Sequence, residues 1–145
     1  MVSELDAVFA ELGGRSTLHR AVETQEDLQS AIRDGFPPEV IGKVLDSAGL
    51  TLKELAASLD LSPRSLQRRR QHGRLARYES DRLYRLARIV ALAKGQIGDE
   101  GTAARWLKRP NRALGGKRPL DLVDTEPGAR SVEDVLGRIA YGGVS

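Results

Sequence analysis

The stretch from Thr51 to Pro63 constrains this chain more than any other. Thr51 and Glu54 have the spacing of a capping box, in which each side chain satisfies a backbone donor of the other residue at a helix start. Leu52, Leu55, Ala56 and Leu59 then recur at helical spacing, so the first helix has one apolar face. Ser62 is a second N-cap, and Pro63 stands at the first helical position, where its fixed φ is already suitable and its missing N–H leaves no bond unmade. Two short helices must therefore meet at a tight turn around Asp60-Leu61. The second is expected from about Pro63 to His72. It buries Leu66 and places Arg64, Gln67, Arg68 and Gln71 on one face at i, i+3, i+4 and i+7.

A helix-turn-helix needs this arrangement, with a small residue such as Ala56 permitting close approach and a polar second helix offered to the major groove. The candidate DNA-binding residues are Arg64, Ser65, Gln67, Arg68, Arg69, Gln71 and Arg74. Arginine bonds guanine edges in a bidentate way and glutamine does so for adenine, which makes Arg64, Gln67 and Arg68 readers of sequence. Arg69, Arg70, Arg74 and Arg77 fit phosphate contacts. Charge supports this: six arginines and no acid lie between Leu61 and Tyr78, and the formal net charge of +3 divides into −4 for residues 1–35, +6 for 36–94 and +1 for 95–145. A helical hairpin with a charged outer face satisfies the same pattern, and arginine outnumbers lysine throughout, 18 to 5. Asp60 also occupies a turn position where helix-turn-helix sequences often carry glycine.

Helix signals continue along the chain and no alternating strand pattern competes with them, so the expected class is all-α. Ser3 caps a first helix ended by Gly13-Gly14, a second starts at Thr24 and stops at Gly35, and a third follows Pro38 with Val40, Ile41, Val44, Leu45 and Ala48 inward. Beyond the central pair, a helix from about Ser80 to Lys94 closes at Gly95. Short pieces at Thr102–Leu107, Pro110–Leu114 and Pro119–Val123 come next, then a Pro127-Gly128 turn and a last helix capped by Ser131. The expected organisation is an acidic helical segment over 1–35, used for dimerisation or packing, a helix-turn-helix domain over 36–95, and a C-terminal module over 96–145. With no cysteine and two distant histidines, thiol chemistry and cysteine- or histidine-based metal sites are excluded. No Ser-His-acid set or phosphate loop is present, so neither an enzyme nor a cofactor is expected. The longest aliphatic run, Ile89 to Ala93, is far short of a membrane span, and the acidic start is unlike a signal peptide, so a soluble, untargeted, cytoplasmic protein is expected. Trp106, the only tryptophan, fits either the core or a partner-facing anchor.

Residues 103–142 carry Trp106-Leu107, Pro110-Asn111, Ala113-Leu114, Gly116, Pro119-Leu120, Thr125, Gly128, Val132, Leu136, Arg138-Ile139 and Tyr141-Gly142 in order. In these features the segment resembles the C-terminal toxin-binding domain of the Xre/MbcA/ParS antitoxin family, which places a Xre-type DNA-binding module before it. Val123 stands where leucine is usual. The resemblance implies an antitoxin paired with a RES-domain toxin, an enzyme that depletes NAD. It implies that the C-terminal domain covers the toxin, that the tail reaches its NAD site, and that the helix-turn-helix represses the shared operon. Carried onto this chain, the toxin-binding residues are Trp106, Arg138, Tyr141, Gly142, Gly143, Val144 and Ser145. The partners expected are a RES-domain toxin, operator DNA and a second copy of the chain, within a higher-order toxin–antitoxin complex and with no membrane. A stand-alone transcription regulator with a C-terminal dimerisation or sensing domain is the alternative.

Overall fold

The computed structural model describes residues 3–140, and among them the regular elements are all helical. Residues 3–35 form α1 (Glu4–Glu11), α2 (Gly14–Leu18) and α3 (Gln25–Asp34). Ser3 caps α1 through the Asp6 N–H, and Thr24 and Asp27 form a full capping box on α3. The double glycine does more than end α1: Gly13 takes a left-handed conformation and starts the one-and-a-half-turn α2, an element too short for periodicity to reveal.

The central unit consists of α4 (Glu39–Ala48), α5 (Leu52–Ser58) and α6 (Pro63–Gln71), leading into the long α7 (Arg77–Ile97). Both expected caps are present. Thr51 and Glu54 bond each other's backbone, and Ser62 accepts from the Ser65 N–H. Between α5 and α6, the Leu61 N–H closes on the Ala56 carbonyl at 2.8 Å, and Asp60 has φ 56°. The turn therefore does demand the left-handed conformation that glycine usually supplies. Aspartate is among the few other residues that tolerate it, at a cost of roughly 1–2 kcal/mol. Asp60→Gly is expected to leave the fold intact and raise stability by about 0.5–1 kcal/mol, whereas Asp60→Ala gains nothing, as read by urea unfolding.

The helix expected to close at Gly95 runs on to Ile97, where Gly98 ends it, so the proposed boundary at 95/96 falls inside α7. Gly95 lies on the exposed side, and its helical penalty of about 1 kcal/mol is offset by Ile97, which packs on the core one half-turn later. This helix is the axis of the molecule: α1, α3, α4, α8 (Glu100–Lys108) and α9 (Glu126–Ala140) all pack against it. Its fully buried Leu83, Leu86, Ile89 and Ala93 join Leu12, Ile41, Leu55, Leu66, Leu107 and Leu136 in one continuous apolar core. The acidic N-terminal segment thus packs on the basic middle, and Glu11 pairs with Lys94 of α7 at 3.0 Å, where Ser47 of α4 joins them.

After α8, the Asn111 N–H bonds the Lys117 carbonyl, the Gly116 N–H bonds back to Asn111, and the Asn111 side chain accepts from Ala113. Gly115 and Gly116 both have positive φ, which closes this small loop. A short 3-10 turn (Pro119–Leu122) then delivers the chain to α9. The last helix begins at Glu126 and not at Ser131, whose hydroxyl bonds the Pro127 carbonyl from mid-helix. Thr125 is the cap, accepting from the Gly128 N–H at 3.1 Å. Pro127-Gly128, expected as a turn, is the first helical turn, where proline is tolerated because its missing donor would have had no partner.

Candidate functional sites on the recognition helix and the C-terminal module

The helical period of α6 places the side chains as its sequence requires. Leu66 is buried against α5, and Arg64, Gln67, Arg68, Arg70 and Gln71 are exposed. Arg64, Gln67, Arg68 and Gln71 form one accessible row, able to present two guanidinium forks and two amides to base edges. The Ser65 hydroxyl accepts from the Ser62 hydroxyl at 2.9 Å as part of the helix cap, leaving its own hydrogen to donate outward.

Two residues assigned to phosphate contacts have structural partners. Arg69 donates to Glu79 of α7 at 2.9 Å, and that carboxylate is almost fully buried while also accepting from the Ala76 N–H at 2.7 Å. The charge-assisted bond and the attraction of Glu79 hold the Arg69 guanidinium more firmly protonated than usual. Arg74 donates to the Gly35 carbonyl at 2.9 Å, beside the Leu75 N–H bond to Phe36. Both arginines tie the C-terminal end of the recognition helix and the loop after it to the rest of the fold. Glu79 was missed in the sequence because the residue at the cap, Ala76, is not a capping type; its position three residues on was the available signal.

The C-terminal module is attached to the α4–α7 unit by carboxylates. Glu126, at the start of α9, receives Arg88 at 3.0 Å and Arg85 at 3.3 Å, both from α7, and Arg88 also reaches Glu133 at 3.1 Å. Lys108 of α8 bridges to Glu54 at 3.2 Å and donates to the Gly49 carbonyl. Desolvation pushes both carboxyls up, but this is outweighed: hydrogen bonds and charge from Arg88, with Arg130 and Arg85, hold Glu126 below its ordinary value, and the Thr51 N–H and Lys108 do so for Glu54. A depressed folded-state pKa contributes stability that is present above the unfolded value of 4.5 and lost as pH falls through the folded one. The melting temperature is therefore expected to fall progressively below about pH 4.5, and Glu126→Gln to flatten part of that decline. Equal acid sensitivity of the two proteins in thermal melts removes Glu126 from the account.

Among the toxin-binding candidates, Arg138 is exposed on α9 and Trp106 is half-buried on α8. The indole Nε1 is shielded from solvent with no acceptor among the described residues, although the ring lines two surface hollows of about 270 Å³ each. Tyr141, Gly142, Gly143, Val144 and Ser145 lie outside the described residues. Among the described residues, no group of three or more His, Cys, Asp or Glu could hold a metal ion, and no helix is long and apolar enough to cross a membrane.

Fold and site together define a helix-turn-helix protein whose polar recognition helix is joined, through α7, to a second helical module. Residues 27–88 match the profile of the antitoxin Xre-like helix-turn-helix domain, and residues 87–142 match the antitoxin Xre/MbcA/ParS C-terminal toxin-binding domain. The protein is 36% identical over 117 residues to an antitoxin Xre of Yersinia enterocolitica, with 79% of each chain covered. It is 34% identical to an antitoxin Xre of Pseudomonas putida, covering 80% of this chain and 72% of the relative. A chain in the crystal structure of the Mycobacterium tuberculosis MbcT–MbcA toxin–antitoxin complex superposes with a TM-score of 0.54 at 25% identity, covering 86% of this chain and all of that one. The chain belongs to the Xre/MbcA/ParS antitoxin family, a family of antitoxins and not of enzymes.

Proposed function

We propose that this protein neutralises a RES-domain, NAD-depleting toxin and represses the operon that encodes the pair. The observation that carries the reading is the joining of an exposed, arginine- and glutamine-bearing recognition helix to a module of the toxin-binding type through one shared helix, α7. The family's toxin-binding domain and the complex that contains its structural relative support the first function. The Xre-like domain supports the second. In this reading the C-terminal module covers the toxin, Arg138 and Tyr141 anchor it, and Gly142, Gly143, Val144 and Ser145 thread toward the NAD site. Two glycines let a tail enter a narrow cleft, and occlusion alone inhibits when release is slow. The protein acts in the cytoplasm as a homodimer within a larger complex, on an operator with two half-sites about one helical turn apart.

The test is affinity purification of the full chain, and of a chain lacking the last four residues, from the native host. Stoichiometric partners are identified by mass spectrometry and NAD consumption is assayed on the eluate. A RES-type partner that is silent with the full chain and active with the shortened one is expected. Specific operator binding with no partner in either preparation would instead establish a stand-alone regulator. On the DNA side, Arg68→Ala is expected to cost about 1–3 kcal/mol and relax specificity at one operator position. An equal loss on random DNA would remove Arg68 from the base-reading set.

A further inference from the structure

The C-terminal module carries eight lysines and arginines from Arg105 to Arg138, and two sets of three differ in how they are held, while Lys117 and Arg138 are exposed without an ion pair among the described residues and do not line the hollows beside Trp106. Lys108, Arg118 and Arg130 are all paired, with Glu54, Asp121 and Glu126. Arg105, Arg109 and Arg112 are exposed, and none takes part in an ion pair among the described residues. These three gather around Trp106: one hollow beside its ring is lined with Arg105, Arg109 and Thr102, and the other with Arg109, Arg112, Pro110 and Asn111. Arg105 is partly occupied, donating to the Thr102 hydroxyl and lying near enough to the capping Asp99 to help hold that carboxyl below its ordinary range, after the larger effect of Thr102. Arg109 caps the C-terminus of α8, where a cation is favoured by the helix dipole. Arg112, the first residue of a short 3-10 turn (Arg112–Leu114), has no side-chain hydrogen bond or ion pair among the described residues.

Tryptophan and arginine are the residues most enriched at the energetic centres of protein–protein interfaces, where a flat ring flanked by recesses receives partner side chains. The patch lies within residues 87–142, the part of the chain that matches a toxin-binding domain. We infer that Trp106, Arg109 and Arg112 form a docking site for a carboxylate-bearing surface of the toxin, separate from the tail that would enter its active site. This rests on the antitoxin reading above. The two elements divide the work. The patch supplies charge-steered encounter and orientation, which act on the association rate and on specificity, and the tail supplies occlusion.

The experiment titrates toxin, recovered from the co-purified complex, against the full chain and the R109E/R112E chain at low and near-physiological salt, with melting temperatures measured in parallel. Because both arginines are exposed, the double reversal should melt within a few degrees of the wild type, the difference coming from the reversed charge at the C-terminus of α8. It is expected to weaken toxin binding by about tenfold or more and to remove most of its salt dependence. W106A should weaken toxin binding more than W106F, which keeps one aromatic ring while losing the unpaired Nε1–H and part of the indole's packing area, and the melting temperatures of both variants give the share of any loss that comes from packing. Undiminished toxin affinity in the double reversal overturns the inference. The same result with weakened binding to random duplex DNA makes the patch a nucleic-acid surface instead. Failure of the unmodified chain to bind any toxin overturns the antitoxin reading and this inference with it.

Discussion

Gly128→Ala is expected to unseat α9, lower stability by about 3 kcal/mol or more, and abolish toxin binding while operator binding suffers less. A Cβ at this position would lie 1.9 Å from the Leu122 carbonyl oxygen and 2.9 Å from its carbon. Those are backbone atoms of the 3-10 turn, so no rotamer change relieves the contact. Either the turn or the first turn of α9 must move, and both are held: the Gly128 N–H is bonded to Thr125, and Leu120, Val123, Ala129 and Val132 are all in the core. For a chain of this size the loss corresponds to roughly 6–12 °C in melting temperature. Thermal melts and toxin titration of G128A check it. A variant that melts within a degree or so of the wild type would show that the turn yields easily.

The same glycine shows where sequence reading fails. Pro127-Gly128 has the local chemistry of a turn, and nothing within a few residues distinguishes that from a helical first turn in which proline lacks only an unneeded donor and glycine makes room for a neighbouring backbone. The neighbour is set by tertiary packing. Caps were legible where both halves lie in one short window, as at Thr24, Thr51 and Ser62. Gly95 misled because its penalty is small beside the burial gained further along α7. The outward face of α6 was legible because a helical period on a half-buried helix dictates it. The partners of Arg69 and Arg74 were not, since Glu79 and the Gly35 carbonyl meet them only after α7 and α3 have packed.

Arg69→Ala is expected to cost about 3 kcal/mol of stability, more than Glu79→Gln at about 1 kcal/mol, although Arg69 is the more exposed of the pair. Removing the arginine leaves a carboxylate at 2% exposure with the Ala76 N–H as its remaining donor. Replacing the carboxylate by an amide keeps one acceptor, for the Ala76 N–H, and puts an NH2 donor where Arg69 bonded, but it leaves no unpaired buried charge, and the 39%-exposed arginine can turn toward water. Exchanging both for methionines should restore part of the loss, since an apolar pair of similar volume often equals a buried ion pair, while the Ala76 N–H loses its acceptor at a cost of about 1 kcal/mol. Operator affinity then separates two roles. If Arg69 acts by fixing α6 against α7, affinity falls in R69A and returns with stability in R69M/E79M, because the row Arg64, Gln67, Arg68 and Gln71 regains its orientation. If Arg69 instead contacts a phosphate, the double variant regains stability relative to R69A and still binds DNA of every sequence as weakly as R69A does. The direct bond to a buried partner favours the first outcome, and unfolding and DNA titrations of the same three variants decide it.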